Sequence, residues 1–277
     1  MATPPAPVEY AHRAHIVTAL EQNLLALWSR FGRGDGCMLH ELDDAIWFDT
    51  PARTLPYNAV LRFAPERDSE ARIDALFDHY RTRGVPFLWM VHPTARPHDL
   101  AEHLKARGME EAEVCPGMWM DLRGLPEIGD PPEGVSIHEV TDALGASSLL
   151  ELIAWRWELP PGEVPLLAGI TRAFDVGRRG SAVRCWVARQ GTAPVAKAVM
   201  NLAAGAAGIY GVATKPNARG LGLARLLTLH ALHAARRVGY ELGVLHSTPM
   251  AQRMYERIGF RAEAPFGIFA PPQALHV

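Results

Sequence analysis

Lys215-Pro216-Asn217-Ala218-Arg219-Gly220-Leu221-Gly222-Leu223-Ala224-Arg225-Leu226-Leu227 decides how this chain is read, because it joins an apolar run, Ile209 to Thr214, to a long amphipathic one. Pro216 stops a strand, and Gly220 and Gly222 remove side chains where a first helical turn begins. Such a turn carries backbone N–H groups with no intrahelical partner, and the aligned peptide dipoles place partial positive charge there. A diphosphate fits that site. The missing Cβ atoms let phosphate oxygens approach the amides, Ala224 keeps the next turn small, and Arg219 adds a fixed charge at the mouth. A nucleotide P-loop is excluded because no Lys-Ser/Thr follows the glycines, and the dinucleotide pattern G-x-G-x-x-G fails at Arg225. For two glycines alone, a strand–helix turn that binds nothing would be the plain alternative.

Working outward, the helix after the glycines is predicted from about Gly220 to Val238, with Leu223, Leu226, Leu227, Ala231, Ala234 and Val238 on its apolar side and Arg236, Arg237 and Gly239 at its end. Before it, alternation predicts a strand over Val135 to Val140. Helical spacing follows over Ala143 to Trp157 and about Val164 to Phe174, and a hairpin over Ala182 to Arg189 and Val195 to Asn201 turns at Gln190-Gly191. After it come a strand at Leu242 to His246, a short helix at Met250 to Arg257 and two closing strands. This is a mixed α/β layout. The turn-rich stretch from Leu122 to Gly134 separates it from the first half and predicts domains at 1–126 and 135–277 joined by a linker at 127–134.

The first half repeats part of the plan. Leu88-Trp-Met-Val-His-Pro-Thr, a helix over His98 to Arg107, then Gly108-Met109 parallels Gly243-Val-Leu-His-Ser-Thr-Pro, a helix over Met250 to Arg257, then Gly259-Phe260. A diverged duplication is the favoured reading over coincidence. The first half has no counterpart of the glycine-rich segment and is expected to have lost cofactor binding.

Arg219-x-x-Gly222-x-Ala224, with Pro216 before it and Leu226-Leu227 after it, resembles the R/Q-x-x-G-x-G/A signature of the GNAT acetyltransferase superfamily. Met254-Tyr255-Glu256-Arg257-Ile258-Gly259-Phe260 is similar to that family's L-Y-x-x-x-G-F ending, in the right order and one strand away. The resemblance covers about the last 140 residues. It implies a C-terminal mixed-sheet GNAT fold, preceded by a degenerate GNAT-like half as in tandem members such as mycothiol synthases, and acetyl-coenzyme A as cofactor. It implies that Val212, Ala213 and Thr214 hold the pantetheine arm, one of their amides polarising the thioester carbonyl. The amides from Arg219 through Gly220, Leu221, Gly222, Leu223 and Ala224 to Arg225 would take the diphosphate. Tyr255 would be the general acid for the departing thiolate, a suitable match because the two proton affinities are close. Many relatives carry asparagine seven residues before the tyrosine; here Thr248 stands there, and its hydroxyl can still donate or accept.

Direct attack needs a neutral amine, so a proton acceptor is required. No Asp or Glu lies in Ala206 to Gly211, which leaves Glu158, Glu163 and His246. Glu158 ranks first because Trp155, Trp157 and Pro160 surround it with apolar walls. The expected activity is transfer of an acetyl group to a primary amine on a small molecule or peptide. The competing reading is a non-catalytic acyl-coenzyme A sensor or scaffold, against which the retained Tyr255 counts.

The 28 Lys+Arg against 30 Asp+Glu give a formal charge of -2, so no basic field points to nucleic acid or membrane, and aminoacyl transfer from tRNA is disfavoured. The three cysteines lie far apart, and neither they nor the histidines show metal-site spacing, so no metal is expected. Met1 to Pro7 lacks the positive flank and apolar stretch of a signal peptide, and no run reaches membrane-spanning length, which predicts a cytoplasmic protein. A homodimer is one candidate assembly.

Overall fold

In the computed structural model, which describes residues 13–272, the first helix, α1 (Arg13–Trp28), turns Ile16, Leu20 and Leu24 into the core. There follow β1 (Met38–Glu41), β2 (Ala45–Asp49), β3 (Ala59–Phe63), α2 (Ser69–Arg83), β4 (Leu88–Val91), α3 (Leu100–Ala106) and the long β5 (Glu110–Asp121). The second half runs β6 (Val135–Glu139), α4 (Ala143–Arg156), α5 (Val164–Ile170), β7 (Val183–Gln190), β8 (Ala193–Ala203) and β9 (Ala206–Thr214). It ends with α6 (Leu223–Arg237), β10 (Leu242–His246), α7 (Gln252–Ile258) and β11 (Arg261–Ala270). The Met1 to Pro7 stretch lies outside the described residues.

Most elements of the second half fall where periodicity puts them, with corrections at their ends. The second helix stops at Ile170 and a 3-10 turn carries the chain to Phe174. Helix α6 begins at Leu223 rather than Gly220, because Gly220 and Gly222 adopt positive φ. Val238, expected on its apolar side, stands one residue past the helix and is 57% exposed. The apolar stripe itself is real: Leu223, Leu226, Leu227, Ala231 and Ala234 are buried against the sheet, each leucine contributing about 2 kcal/mol of transfer free energy.

All strands join one sheet in the order β1-β2-β3-β4-β11-β5-β10-β9-β8-β7-β6. That order explains a further correction. The sequence predicts two closing strands, but among the described residues only β11 forms there. The neighbouring place, between β10 and β11, is filled by β5 of the first half, whose Met118 to Asp121 lie opposite Leu242 to Leu245. Reciprocally, β11 inserts between β4 and β5. Each half donates its last strand to the other, so the 127–134 segment divides the chain order while the sheet continues across both halves.

The repeat is visible in topology. The sheet's parallel pairs are β3 with β4 and β9 with β10, each connected through a helix, α2 or α6, and each followed by a short helix and a long exchanged strand. The short helices close alike: Met109 N–H donates to the Leu104 carbonyl and Phe260 N–H to the Tyr255 carbonyl, both at 3.1 Å.

A polar node binds the halves. Asn23 on α1, fully buried, donates from its amide to the carbonyls of Ala203 at 2.8 Å and Ala206 at 2.9 Å, and accepts from the Tyr210 hydroxyl at 3.0 Å. Gly208 is glycine for the same reason: a Cβ there would stand 2.0 Å from the Asn23 side-chain oxygen.

Candidate active site

Strand β9 pairs in parallel with β10 only from Ala206 to Ile209, then runs on to Thr214 with no strand on that side. Its register with β8 slips between Lys197 and Val199, so Gly211 and Val212 bulge, Gly211 at φ +55°. Val212, Ala213 and Thr214 therefore occupy a free, re-aimed edge. The Thr214 hydroxyl is buried without a hydrogen-bond partner.

The free edge leads to the glycine-opened turn. Gly220 and Gly222 have φ of +80° and +73°, a backbone region that L side chains rarely adopt, and a Cβ at either would meet nothing within 4 Å. Among the described residues, the amides of Gly220, Leu221, Gly222, Leu223, Ala224 and Arg225 donate to no carbonyl. Six consecutive donors thus lack a backbone acceptor at the positive end of a 15-residue helix. Arg219 is exposed beside them, its Nε donating to the Thr214 carbonyl at 3.3 Å. The corresponding helix of the first half, α2, opens differently. Asp68, itself at positive φ, precedes Ser69 and Glu70, and these carboxylates would repel an anion.

A cavity of about 690 Å³ adjoins the free edge and is lined by both halves. Val212, Ala213, Thr248 and Tyr255 reach it from the second half; Leu24, Leu27 and Trp28 of α1, with Phe31, Pro56 and Tyr57, form its far side. Tyr255, on α7, is 6% exposed, and burial raises its hydroxyl pKa well above the usual phenol value, with Thr228 opposing the shift. It therefore stays protonated at neutral pH. Thr248 precedes α7, where its carbonyl accepts from the amides of Ala251 and Gln252.

The proton acceptors considered from sequence are placed unevenly. Glu158 is exposed just beyond α4, at φ +47°, and is not among the cavity-lining residues, although its neighbour Trp157 is. Glu163 accepts from the Arg53 amide at 3.0 Å. His246 lines the cavity, its ring 4.2 Å from that of Phe266, and both ring nitrogens are buried without partners. Burial, and then His92, pulls its pKa down to about 3, far too low to take a proton from an ammonium.

Two arrangements were hidden from a linear reading. Lys197, the lone charge within Val195-Ala-Lys-Ala-Val-Met200, lies 3% exposed on the cavity wall. That isolation inside an apolar strand was the available signal. In the first half His40, Asp49 and His79, far apart in sequence, bring potential ligand atoms within 4.8 Å of one another. His40 Nε2 lies 2.8 Å and His79 Nε2 2.9 Å from the buried Asp49 carboxylate. Both rings thus lie within hydrogen-bond distance of one carboxylate, and Arg83 adds a cation 3.6 Å from it.

Residues 149–260 match the model of the Acetyltransferase (GNAT) family. Three solved structures share the fold over nearly the whole chain. A GCN5-related N-acetyltransferase from Kribbella flavida is 18% identical, with TM-score 0.65, covering 90% of this chain and 95% of its own. One from Sphaerobacter thermophilus is 15% identical, with TM-score 0.60 over 98% and 94%. A tandem GNAT protein from the clavulanic acid biosynthesis pathway is 15% identical, with TM-score 0.59 over 97% of each chain. No match was found among curated proteins.

Proposed function

We propose that this chain, whose residues 149–260 match the Acetyltransferase (GNAT) family model and whose fold is like that of a tandem GNAT protein, transfers an acetyl group from acetyl-coenzyme A to a primary amine by direct attack. The observation that carries the reading is the run of amides from Gly220 to Arg225 without backbone acceptors, opened by two uncrowded glycines and following the free edge of β9 in sequence. These donors suit a diphosphate, and the strand edge suits an amide-bearing arm, so the residues fit acetyl-coenzyme A.

The cofactor supplies an activated thioester. Val212 would present a backbone N–H where negative charge gathers on the acyl oxygen, a contribution of about 3 kcal/mol in comparable sites. Tyr255 would hold a proton at its hydroxyl oxygen for the departing sulfur. Thr248 orients the arm through its hydroxyl. The proton leaving the attacking amine would reach Glu158 by way of water, since that carboxylate stands outside the cavity wall. The first half supplies wall rather than chemistry, because Leu104 occupies the place of Tyr255 and has no proton to give.

Incubating the chain with isotopically labelled acetyl-coenzyme A and a pool of amines, followed by mass spectrometry, tests the activity. A labelled N-acetyl product is expected. Cofactor binding with no labelled product from any amine would point instead to a sensor.

A further inference from the structure

The cavity behind the free edge of β9 has an unusual polar inventory. Its walls are apolar and aromatic, including Leu27, Trp28, Phe31, Leu149 and Phe174. Set into them is a single buried ammonium. Lys197 Nζ donates to the carbonyl of Gly211 at 2.6 Å, and this is the one hydrogen bond found for it among the described residues. An ammonium has three donors, and a buried charge is costly unless paired.

Nothing in the wall pairs it. Of the two carboxylates lining the cavity, Asp175 is bound to Arg178 at 2.8 Å and Glu113 lies on β5 beside Cys115. The groups that act on Lys197 are the Cys185 thiol and a second cation, Arg156, which also lines the cavity. Burial lowers the Lys197 pKa to about 8, which leaves the ammonium predominant at neutral pH.

Position narrows what could supply the missing anion. Lys197 stands opposite Ala213 in the β8–β9 register, and its ammonium rests on the bulge that re-aims Val212. A carboxylate bound there would sit within a residue or two of the amide proposed to hold the acyl oxygen. An amino group able to reach the thioester from that point must be close to the carboxylate in its own molecule, as in an α-amino acid. The body of such a molecule would then lie against the aromatic wall contributed by the first half.

Resting on the acetyltransferase reading above, we infer that the acceptor is a free α-amino acid with a large apolar side chain, its carboxylate held by Lys197 and its side chain by the Trp28 and Phe31 wall. Peptide amino termini, which lack a carboxylate next to the amine, and compact polar amines are disfavoured. Lys197 is thus a specificity residue.

The test compares kcat/KM for L-phenylalanine, L-phenylalaninamide and glycine, with acetyl-coenzyme A as donor, in the parent and in Lys197→Met and Lys197→Arg. The parent should prefer the acid over the amide by at least about tenfold, the scale of one charge-assisted bond, mainly through KM. It should also prefer phenylalanine to glycine. Lys197→Met should bring acid and amide to within about threefold of each other, and Lys197→Arg should restore part of the gap. A parent that accepts the amide as well as the acid overturns the inference. So does a Lys197→Met variant, folded by its melting temperature, that keeps the acid-to-amide ratio while losing kcat for both, since that marks Lys197 as a proton acceptor. If acetyl-coenzyme A binds by calorimetry but neither phenylalanine derivative is acetylated, the inference falls and the cofactor site stands. If acetyl-coenzyme A does not bind, both fall.

Discussion

Replacing Asn23 with alanine cuts the node that ties the first helix to the β8–β9 hairpin. The side chain donates to the carbonyls of Ala203 and Ala206 and accepts from the Tyr210 hydroxyl, with a longer contact to the Asn201 carbonyl at 3.3 Å. Alanine removes these bonds and strands the Tyr210 hydroxyl, which is partly buried. At about 1 kcal/mol net per lost bond and about 1–3 kcal/mol for the stranded hydroxyl, the loss is about 4 kcal/mol. Strand exchange makes the halves one cooperative sheet, so the unfolding entropy scales with the whole 277-residue chain. At about 2 cal/mol/K per residue, the midpoint should fall by about 7 °C in a calorimetric scan, still as one transition. The double variant Asn23→Ala/Tyr210→Phe, which removes the stranded hydroxyl, should recover about 1–2 kcal/mol of this. A drop under about 2 °C, or two separated transitions, would refute the reasoning.

Tyr255→Phe should lower kcat by about a hundredfold or more while acetyl-coenzyme A affinity, read by calorimetry, stays within about threefold; unchanged turnover would remove Tyr255 from the chemistry. Gly222→Ala forces a side chain into φ +73°, a strained conformation that should shift the turn carrying the amides, so acetyl-coenzyme A affinity should weaken by about tenfold. Gly205→Ala, equally strained at φ +70° in the β8–β9 turn, should leave that affinity unchanged, and equal effects from both would argue against the site. Buried His92 and His246 have pKa values lowered to about 4 and about 3 from 6.5, so their contribution is complete above pH 6.5 and is lost as the unfolded state takes up protons below it. Between pH 7 and 5 thermal scans should report a loss of about 2 kcal/mol per histidine, and a flat profile would show that neither is buried neutral. Under the proposed water-mediated role of Glu158, Glu158→Gln should lower kcat/KM by only about threefold; a hundredfold loss would place it in direct contact with the amine.

What could be read along the chain was local. The glycine pair, the stripe of α6 and the Tyr255 turn each depend on neighbours within a few residues, and each formed close to where periodicity and turn chemistry put it, although α6 starts at Leu223 and ends before Val238. The shared Thr/Pro turns also betrayed the repeat. Strand exchange could not be read, because β5 looks like any half-buried strand and its place between β10 and β11 is set by partners more than a hundred residues away. For the same reason the sequence predicted a second closing strand where the first half supplies one. In the site, the backbone donors were legible and the cavity wall was not: Trp28, Phe31 and Tyr57 lie more than 150 residues before the glycine turn, and only the fold brings them to the cavity that Tyr255 also lines. Glu158 was singled out by aromatic neighbours in sequence, yet a positive φ turns the chain there and leaves it at the surface.

Backbone ¹⁵N–¹H chemical shifts of Gly220 and Gly222, followed while acetyl-coenzyme A is titrated into the protein, probe the proposed diphosphate site itself. Saturable downfield movement of these amides and their neighbours through Arg225, with amides of the α2 opening near Ser69 unmoved, is the predicted outcome. Shifts confined to other parts of the chain, or none at saturating cofactor, would contradict the assignment.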